Sequence, residues 1–138
     1  MPYPEMLVAP MRAELTNNGF TQLTSADEVE NAMQNAKGST LIVINSVCGC
    51  AAAMARPGVL KSISGDKKPD NLYTVFAGQD LDAVEKAREY TLPFPPSSPA
   101  IALFKDGVLV HMIERHSIEG RSADMVADNL TAAYEQFC

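Results

Sequence analysis

The chain has 138 residues, of which 46% are hydrophobic and 20% charged, so it can build its own core and is too apolar for a disordered segment. Eleven basic against seventeen acidic residues give a net charge of −6, which argues against nucleic acid and anionic membranes as main partners. The longest aliphatic run, Leu41 to Ile44, is far shorter than the ~18–20 residues of a membrane span, and the N-terminus lacks the pattern of a secretory signal. We therefore expect a single domain over residues 1–138, located in the cytoplasm.

The N-terminal segment is predicted to be helical, because Leu7, Met11 and Leu15 recur at helical spacing. Pro10 lies inside this stretch, so we expect the regular helix to begin there, with proline at its first position. A short strand is predicted for Phe20 to Leu23.

A second helix should begin after Ser25, which opens a capping box that ends at Glu28. Its apolar positions are spaced as on one face of a helix: Val29, Ala32, Met33 and Ala36. The run from Leu41 to Ile44 is typical of a central strand that is buried on both faces. The alanines between 51 and 55 favour a helix, which Pro57 should kink or restart because proline lacks an amide hydrogen.

The second half of the chain continues the alternation of strands and helices. Leu72 to Phe76 is predicted to be a buried strand, and Asp80 is expected to cap a helix that reaches about Glu89. Asp106-Gly107 indicates a hairpin between strands 100–104 and 108–113, and a last helix should begin near Ser122. We expect strands joined through helices to be parallel and the hairpin to be antiparallel. The predicted fold class is α/β, with a mixed central sheet and helices on both faces.

The sequence Cys48-Gly49-Cys50 falls where the central strand gives way to a helix. In open α/β sheets, this is the edge at which sites form. The N–H groups at a helix N-terminus favour the thiolate form of cysteine, so we predict a reactive pair. Gly49 should let the backbone turn tightly, and the alanines after Cys50 leave room for another chain or a small thiol.

Two other interpretations of the pair remain open. Cysteine is often only a small buried hydrophobe, and thiolates also hold zinc and iron–sulfur clusters. A metal site needs further ligands, but the only other cysteine is Cys138, and neither His111 nor His116 has ligand spacing to the pair. We therefore expect no metal. A disulfide between Cys48 and Cys50 would close almost no loop, so its natural use is transfer to another molecule and not stabilisation.

The segment from Val43 to Gly58, which contains the Cys-Gly-Cys motif, closely resembles the bacilliredoxin family of thioredoxin-like proteins. These proteins have also been described as thiol–disulfide isomerases. Further matching segments occur in the same order along the chain: Pro10–Thr16, Thr74–Asp80, Pro95–Pro99, Arg115–Gly120 and Asn129–Ala133. The resemblance runs from about residue 6 to Cys138.

The resemblance implies a thioredoxin fold and thiol–disulfide exchange. Bacilliredoxins remove bacillithiol, a malate-bearing thiol, from client proteins that carry it as a mixed disulfide. By resemblance, Cys48 attacks this mixed disulfide, and Cys50 or a second bacillithiol resolves the adduct. The expected partners are bacillithiolated clients and a low-molecular-weight thiol, with no bound cofactor.

Four residues besides the cysteines are candidates for binding the substrate: Gly49, Ser98, Pro99 and Arg56. By resemblance, Pro99 is the cis-proline that faces the active site, and it would hold Ser98 so that its backbone pairs with a bound partner and would keep metals off the thiols. Arg56 could meet a carboxylate of bacillithiol, although a solvated or salt-bridged arginine is the simpler interpretation. In contrast to ordinary thioredoxins, Val47 stands where a tryptophan is usual, and Asn45 and Ser46 supply no buried acid.

Alternative functions remain open at this point. The protein could be an isomerase of protein disulfides or, in a different class, a non-catalytic module that binds a metal or a partner. The sequence does not predict the oligomeric state, and the role of Cys138, in regulation or in cross-linking, stays open.

Overall fold

Helices and strands alternate along the chain in the computed structural model, which describes residues 2–138. The helices are α1 (Glu5–Thr16), α2 (Ala26–Gln34), α3 (Arg56–Ser62), α4 (Leu81–Tyr90) and α5 (Ala123–Phe137). The strands are β1 (Thr21–Gln22), β2 (Ser39–Asn45), β3 (Asn71–Phe76), β4 (Ala100–Lys105) and β5 (Val108–Ile113). A π-helical turn (Ala51–Ala55) leads into α3, and a 3-10 turn (Arg115–Ser117) follows β5.

Strand β2 is buried along its whole length, which confirms the prediction of a central strand. Successive side chains of a strand point to opposite faces of the sheet. Leu41 and Val43 accordingly join one hydrophobic cluster, whereas Ile42 and Ile44 join another. The first cluster lies under α1, α3 and α5, and the second lies under α2 and α4. The molecule therefore has three layers, with helices on both faces of a mixed sheet as predicted.

The five strands lie in the order β1-β3-β2-β4-β5. Strand β3 is parallel to both β1 and β2, and the β4–β5 hairpin is antiparallel, as predicted. However, β4 is antiparallel to β2, so the prediction that all helix-linked strands are parallel is wrong for β4.

The connection between β3 and β4 explains this reversal. The C-terminal ends of β2 and β3 lie at the same edge of the sheet, because these two strands are parallel. Helix α4 begins just after the end of β3. Strand β4 also begins at this edge, because its first residue, Ala100, pairs with Ile44 near the end of β2. Residues 91–99 are neither helix nor strand. Nine such residues can span about 30 Å, about twice the length of the ten-residue helix α4. The chain therefore leaves this edge along α4, returns to it before β4, and enters β4 in the opposite direction.

Helix α1 differs from its prediction in two respects. It begins at Glu5 and includes Pro10 in its interior, so the expected start at Pro10 is wrong. The carbonyl that Pro10 leaves without a helical donor belongs to Met6, which is 87% exposed and accessible to water. Val8 and Leu15 are buried, whereas Leu7 is half exposed, so the buried stripe is shifted by one residue at its N-terminal end.

The N-termini of the later helices test the cap predictions. Ser25 and Ser122 each accept a backbone N–H through the side chain, at 3.1 Å in both cases, as helix caps do. Asp80 occupies the N-cap position of α4, as predicted, but its side chain makes no such bond. Its carboxylate instead accepts two hydrogen bonds from Arg12 of α1, at 2.7 and 3.0 Å.

The predicted Asp106-Gly107 hairpin is present, with positive φ angles of 49° and 83° at the two residues. Both central positions of this turn type need such angles, which glycine adopts freely and aspartate more readily than most residues. The turn is also tied to Gly38, whose N–H donates to the Asp106 carboxylate at 2.9 Å and whose carbonyl accepts the Asp106 N–H at 2.8 Å.

Candidate active site

The Cys48-Gly49-Cys50 motif lies at the start of a helical segment. Cys48 follows β2 in an irregular loop, and the backbone is already helical at Gly49 and Cys50. The segment then widens into the π-helical turn before continuing as α3, with Pro57 in the first turn of that helix. This irregularity just before Pro57 confirms that the helix is interrupted there. The pair therefore lies at the strand-to-helix edge that the sequence indicated.

Burial distinguishes the two thiols. Cys50 is only 8% exposed and belongs to the cluster under α1, α3 and α5. Cys48 packs against the edge of that cluster and is partly exposed. This difference agrees with the expectation that Cys50 is the more shielded thiol, and it leaves Cys48 as the one that another molecule can reach.

Electrostatics also favours a thiolate on Cys48. Hydrogen bonding from the Cys50 side chain is the largest effect that lowers the pKa of Cys48 below its ordinary value. The N–H of Cys50 also lies 3.4 Å from the Cys48 sulfur, and the positive charge of Arg115 acts in the same direction. Burial raises the pKa of Cys50, and its interactions with Cys48 raise it further. The nucleophile is the thiolate, so Cys48 is the attacking group that this geometry favours.

A chain of hydrogen bonds beneath the loop fixes the position of Cys48. The N–H of Cys48 donates to the Ser46 hydroxyl at 3.1 Å, and the N–H of Ser46 donates to Oδ1 of Asn45 at 2.9 Å. Arg56 donates through Nη1 to the same Asn45 oxygen at 2.9 Å and to the Ser46 carbonyl at 3.0 Å. A buried cation thus supports the loop from below.

Arg56 does not face the space in which a ligand would bind, so its expected contact with a carboxylate of bacillithiol needs correction. Its side chain is only 2% exposed, because α3 directs it towards Asn45 and Ser46. Glu14 of α1 lies 3.1 Å from Nε and forms an ion pair whose alignment is too poor for a hydrogen bond. The simpler interpretation of a salt-bridged arginine describes this residue.

Gly49 is exposed, and its φ angle lies outside the positive range that favours glycine. The turn expected at Gly49 therefore does not depend on the conformational freedom of glycine. A Cβ atom at Gly49 would meet nothing within 4 Å, so this position leaves open space beside Cys48.

The Ser98–Pro99 peptide bond is cis, as the resemblance implied. Pro99 is buried and directly precedes β4, whose first residue pairs with Ile44 near the end of β2. The structure therefore brings Ser98 and Pro99 to the edge of the sheet that carries the cysteines. The carbonyl of Ser98 accepts a hydrogen bond from Nη1 of Arg115 at 3.3 Å.

A cavity of about 270 Å³ opens beside Cys48. Its lining residues come from five separate parts of the chain: Tyr3, Ser46, Val47, Cys48, Ala77, Gly78, Ser98 and Arg115. Tyr3 and Arg115 are not among the residues predicted for this site. Arg115 lay within a segment that resembled the family, but its place beside Cys48 depends on how β5 and the following turn pack.

The remaining candidates lie outside this cavity. Cys138 packs at the edge of the cluster under α1, α3 and α5, and it does not line the cavity beside Cys48.

Within residues 2–138, no three His, Cys, Asp or Glu side chains are grouped as metal ligands would be. In the same part of the chain, no helix is both long and apolar enough to cross a membrane.

Comparison with known proteins identifies the family. The profile of the family described as "Disulphide isomerase" matches residues 3–138. A bacilliredoxin of Cytophaga hutchinsonii is 65% identical over 134 residues, which cover 97% of this chain and 98% of that protein. The chain belongs to the bacilliredoxin family. A second bacilliredoxin, from Halalkalibacterium halodurans, is 52% identical over 136 residues, covering 99% of this chain and 94% of the relative.

Solved structures confirm the thioredoxin fold. The oxidised mitochondrial thioredoxin 3 of Saccharomyces cerevisiae superposes with a TM-score of 0.58 at 21% identity, covering 89% of this chain and 98% of that one. Oxidised thioredoxin O1 of Arabidopsis thaliana gives a TM-score of 0.59 at 18% identity, covering 87% of this chain and 98% of that one. Together, family and fold make the protein a thiol–disulfide oxidoreductase, with Cys48 and Cys50 forming its C-x-C motif.

Proposed function

We propose that this oxidoreductase removes bacillithiol from mixed disulfides on client proteins in the cytoplasm. Cys48 is the attacking residue and Cys50 the resolving one. The observation that carries the proposal is the asymmetry of the pair. A partly exposed thiol with a lowered pKa stands next to a buried thiol with a raised pKa, beside a cavity large enough for a small molecule.

The proposed reaction consists of two disulfide exchanges. The Cys48 thiolate attacks the bacillithiol sulfur of the mixed disulfide, and the client leaves as a thiolate that takes up a proton. In the second step, Cys50 loses its proton and attacks the Cys48 sulfur, which releases bacillithiol and forms a Cys48–Cys50 disulfide. Alternatively, a second bacillithiol attacks the bacillithiol sulfur of the adduct, which regenerates Cys48 and forms bacillithiol disulfide.

The neighbouring residues have supporting roles in this proposal. Ser98 offers its backbone N–H to the bound substrate, since its carbonyl already accepts a bond from Arg115. Pro99 holds Ser98 in place and keeps metal ions away from the thiols. Open space at Gly49 lets the client approach Cys48.

A second candidate function is the isomerisation of disulfides between protein cysteines. The observation that favours it is the description of the matching family as "Disulphide isomerase". In this reaction Cys48 would bond to a client sulfur instead of a small thiol, and the released client thiol would attack another disulfide. The two functions therefore predict different adducts on Cys48.

The experiment traps the adduct in a Cys50→Ser variant. Serine removes the resolving thiol but keeps a hydroxyl that can donate to the Cys48 sulfur, so the thiolate is perturbed less than by alanine. The variant is mixed with a client carrying bacillithiol or, separately, the same client carrying glutathione. Intact mass is then recorded over time, and a variant that also carries Cys48→Ser is the matched control.

We expect a bacillithiol adduct that forms faster than the glutathione adduct and is absent from the control. A covalent adduct with the client and no preference for either small thiol would favour isomerisation. If no adduct forms with either client, thiol transfer through Cys48 is excluded.

A further inference from the structure

Arg115 is the only cationic side chain among the residues lining the cavity beside Cys48, and none of those residues is acidic. The protein as a whole carries a net charge of −6, so a positive group at this position runs against the general charge of the molecule. The other lining residues near Cys48 are small or uncharged, such as Val47, Ala77 and Gly78. Any molecule bonded to Cys48 in this cavity therefore has one fixed charge to interact with.

Three contacts orient Arg115. Its backbone N–H donates to the Ser97 hydroxyl at 3.3 Å, and its Nη1 group donates to the Ser98 carbonyl at 3.3 Å. Nε pairs with the carboxylate of Glu119, one helical turn further along. Within residues 2–138, Nη2 has no hydrogen-bond partner, which leaves two N–H donors for a ligand. The Arg115 side chain is 45% exposed, so a ligand can reach these donors.

We propose that Arg115 determines substrate specificity by binding a carboxylate of the small thiol that is transferred to Cys48. This proposal rests on the function proposed above and adds the residue that recognises the carboxylates of the transferred thiol. Arginine suits this role because its planar guanidinium is always charged and makes charge-assisted hydrogen bonds to carboxylates. Glu119 competes for the same guanidinium, so it weakens the interaction with the substrate.

The chemical step is the same for every probe. The Cys48 thiolate attacks the small-thiol sulfur of a mixed disulfide, a new disulfide forms between them, and the client thiolate leaves. No other oxidant or reductant is needed. Only the charge on the transferred group changes between probes, so the test isolates the interaction with Arg115.

The test uses one client protein that carries, in separate samples, mercaptosuccinate, 3-mercaptopropionate, 2-mercaptoethanol or cysteamine. Mercaptosuccinate carries two carboxylates, 3-mercaptopropionate carries one, 2-mercaptoethanol is uncharged, and cysteamine carries a positive charge. Transfer to Cys48 is followed by intact mass in the Cys50→Ser background. For each probe, the transfer rate measured with a substituted protein is divided by the rate measured with the protein that keeps Arg115 and Glu119. This ratio cancels the intrinsic reactivity of each disulfide.

Two substitutions should act in opposite directions. In Arg115→Gln we expect transfer of mercaptosuccinate to slow about three- to tenfold more than transfer of 2-mercaptoethanol, a size suited to a partly exposed ionic contact. Arg115→Lys should recover part of this preference. In Glu119→Gln, the preference for mercaptosuccinate over 2-mercaptoethanol should rise. Arg121→Gln, which removes an exposed arginine outside this cavity, is the charge-matched control and should leave the ratio unchanged.

The outcomes separate this proposal from the one on which it rests. If Arg115→Gln slows all four probes by the same factor, Arg115 acts only through the Cys48 thiolate and the specificity role is wrong. If Arg115→Gln and Glu119→Gln shift the ratio in the same direction, their ion pair has only a structural role, and the proposal is again overturned. In both cases transfer of small thiols itself still stands. If no probe is transferred even with Arg115 present, the proposed function is wrong, and the inference about Arg115, which depends on it, is wrong as well.

Discussion

Cys48 and Cys50 are two residues apart, yet their thiols differ because one serves as hydrogen-bond donor to the other. The Cys50 side chain is the largest contributor to the lowered pKa of Cys48. Replacing Cys50 with alanine should therefore raise the pKa of Cys48, and replacement with serine should raise it less. We expect the rate of Cys48 alkylation to rise with pH, with its midpoint lowest in the native pair, higher in Cys50→Ser and highest in Cys50→Ala.

The alkylation experiment is best done with iodoacetamide in a Cys138→Ser background, so that mass reports on the active-site thiols alone. Reactivity should be present above the pKa of Cys48 and be lost as pH falls through it, because only the thiolate reacts. Equal midpoints in the alanine and serine variants would show that the Cys50 side chain does not lower this pKa as a donor.

Arg56 stabilises the folded protein through its hydrogen bonds to the loop that carries Cys48. It is almost completely buried and donates to both Asn45 and the Ser46 carbonyl. Arg56→Met keeps most of the apolar side chain but leaves the Ser46 carbonyl without this donor. We expect a loss of about 2–4 kcal/mol in the free energy of unfolding, the range found when one partner of a buried polar network is removed.

Urea unfolding measures this loss, and Arg121→Met is the matched control because Arg121 is exposed. The control should change the free energy of unfolding by less than about 0.5 kcal/mol. An Arg56→Met protein as stable as the native one would mean that the buried network contributes little to stability.

At the scale of the elements, α3 packs closely against α5 at Gly58. A Cβ atom there would lie 2.8 Å from Cβ and Cγ1 of Val126 and 3.0 Å from the Ala123 carbonyl. Gly58→Ala should therefore destabilise the protein by about 1–3 kcal/mol, because overpacking outweighs the better helix propensity of alanine.

Gly49→Ala is the comparison for this prediction, since both glycines lie in the same helical segment. A Cβ at Gly49 meets nothing within 4 Å, so alanine there should raise the free energy of unfolding by about 0.5–1 kcal/mol. Thermal or urea unfolding of the two variants provides the measurement. A stabilising effect of Gly58→Ala would show that α5 can move away without cost.

The sequence predicts elements well where a local pattern determines them. Strand β2, the cap at Ser25, the helix start near Ser122 and the Asp106-Gly107 hairpin are all confirmed, because each depends on neighbouring residues alone. The direction of β4 and the place of Arg115 were missed. Both depend on the path of irregular segments, residues 91–99 and the turn after β5, for which no periodic pattern exists. The side chain of Asp80 suits a helix cap but accepts hydrogen bonds from Arg12 instead, and no local pattern indicates a contact between residues so far apart in sequence.

At the scale of the whole molecule, Arg12 joins the N-terminal helix to the edge of the sheet that carries the active site. It pairs with Asp80 just before α4 and with Glu5, seven residues earlier at the start of α1. Its guanidinium also lies 5.4 Å from the ring centre of Phe76 at the end of β3. The side chains of Arg12 and Asp80 are only 13% and 10% exposed. By contrast, the Lys61–Asp124 pair between α3 and α5 is 57% and 71% exposed.

Solvent screening should make these two ion pairs differ in strength. We expect a coupling energy of about 1–2 kcal/mol for Arg12 and Asp80, and a clearly smaller one for the solvent-exposed pair Lys61 and Asp124. Double-mutant cycles with Arg12→Met and Asp80→Asn, and with Lys61→Met and Asp124→Asn, measure both couplings by urea unfolding. Hydrogen exchange of the α1 amides should also quicken in Arg12→Met relative to those of β2, because α1 would lose its charged link to the sheet. Equal couplings for the two pairs, with α1 exchange unchanged, would mean that apolar packing at Val8 and Leu15 alone holds this helix in place.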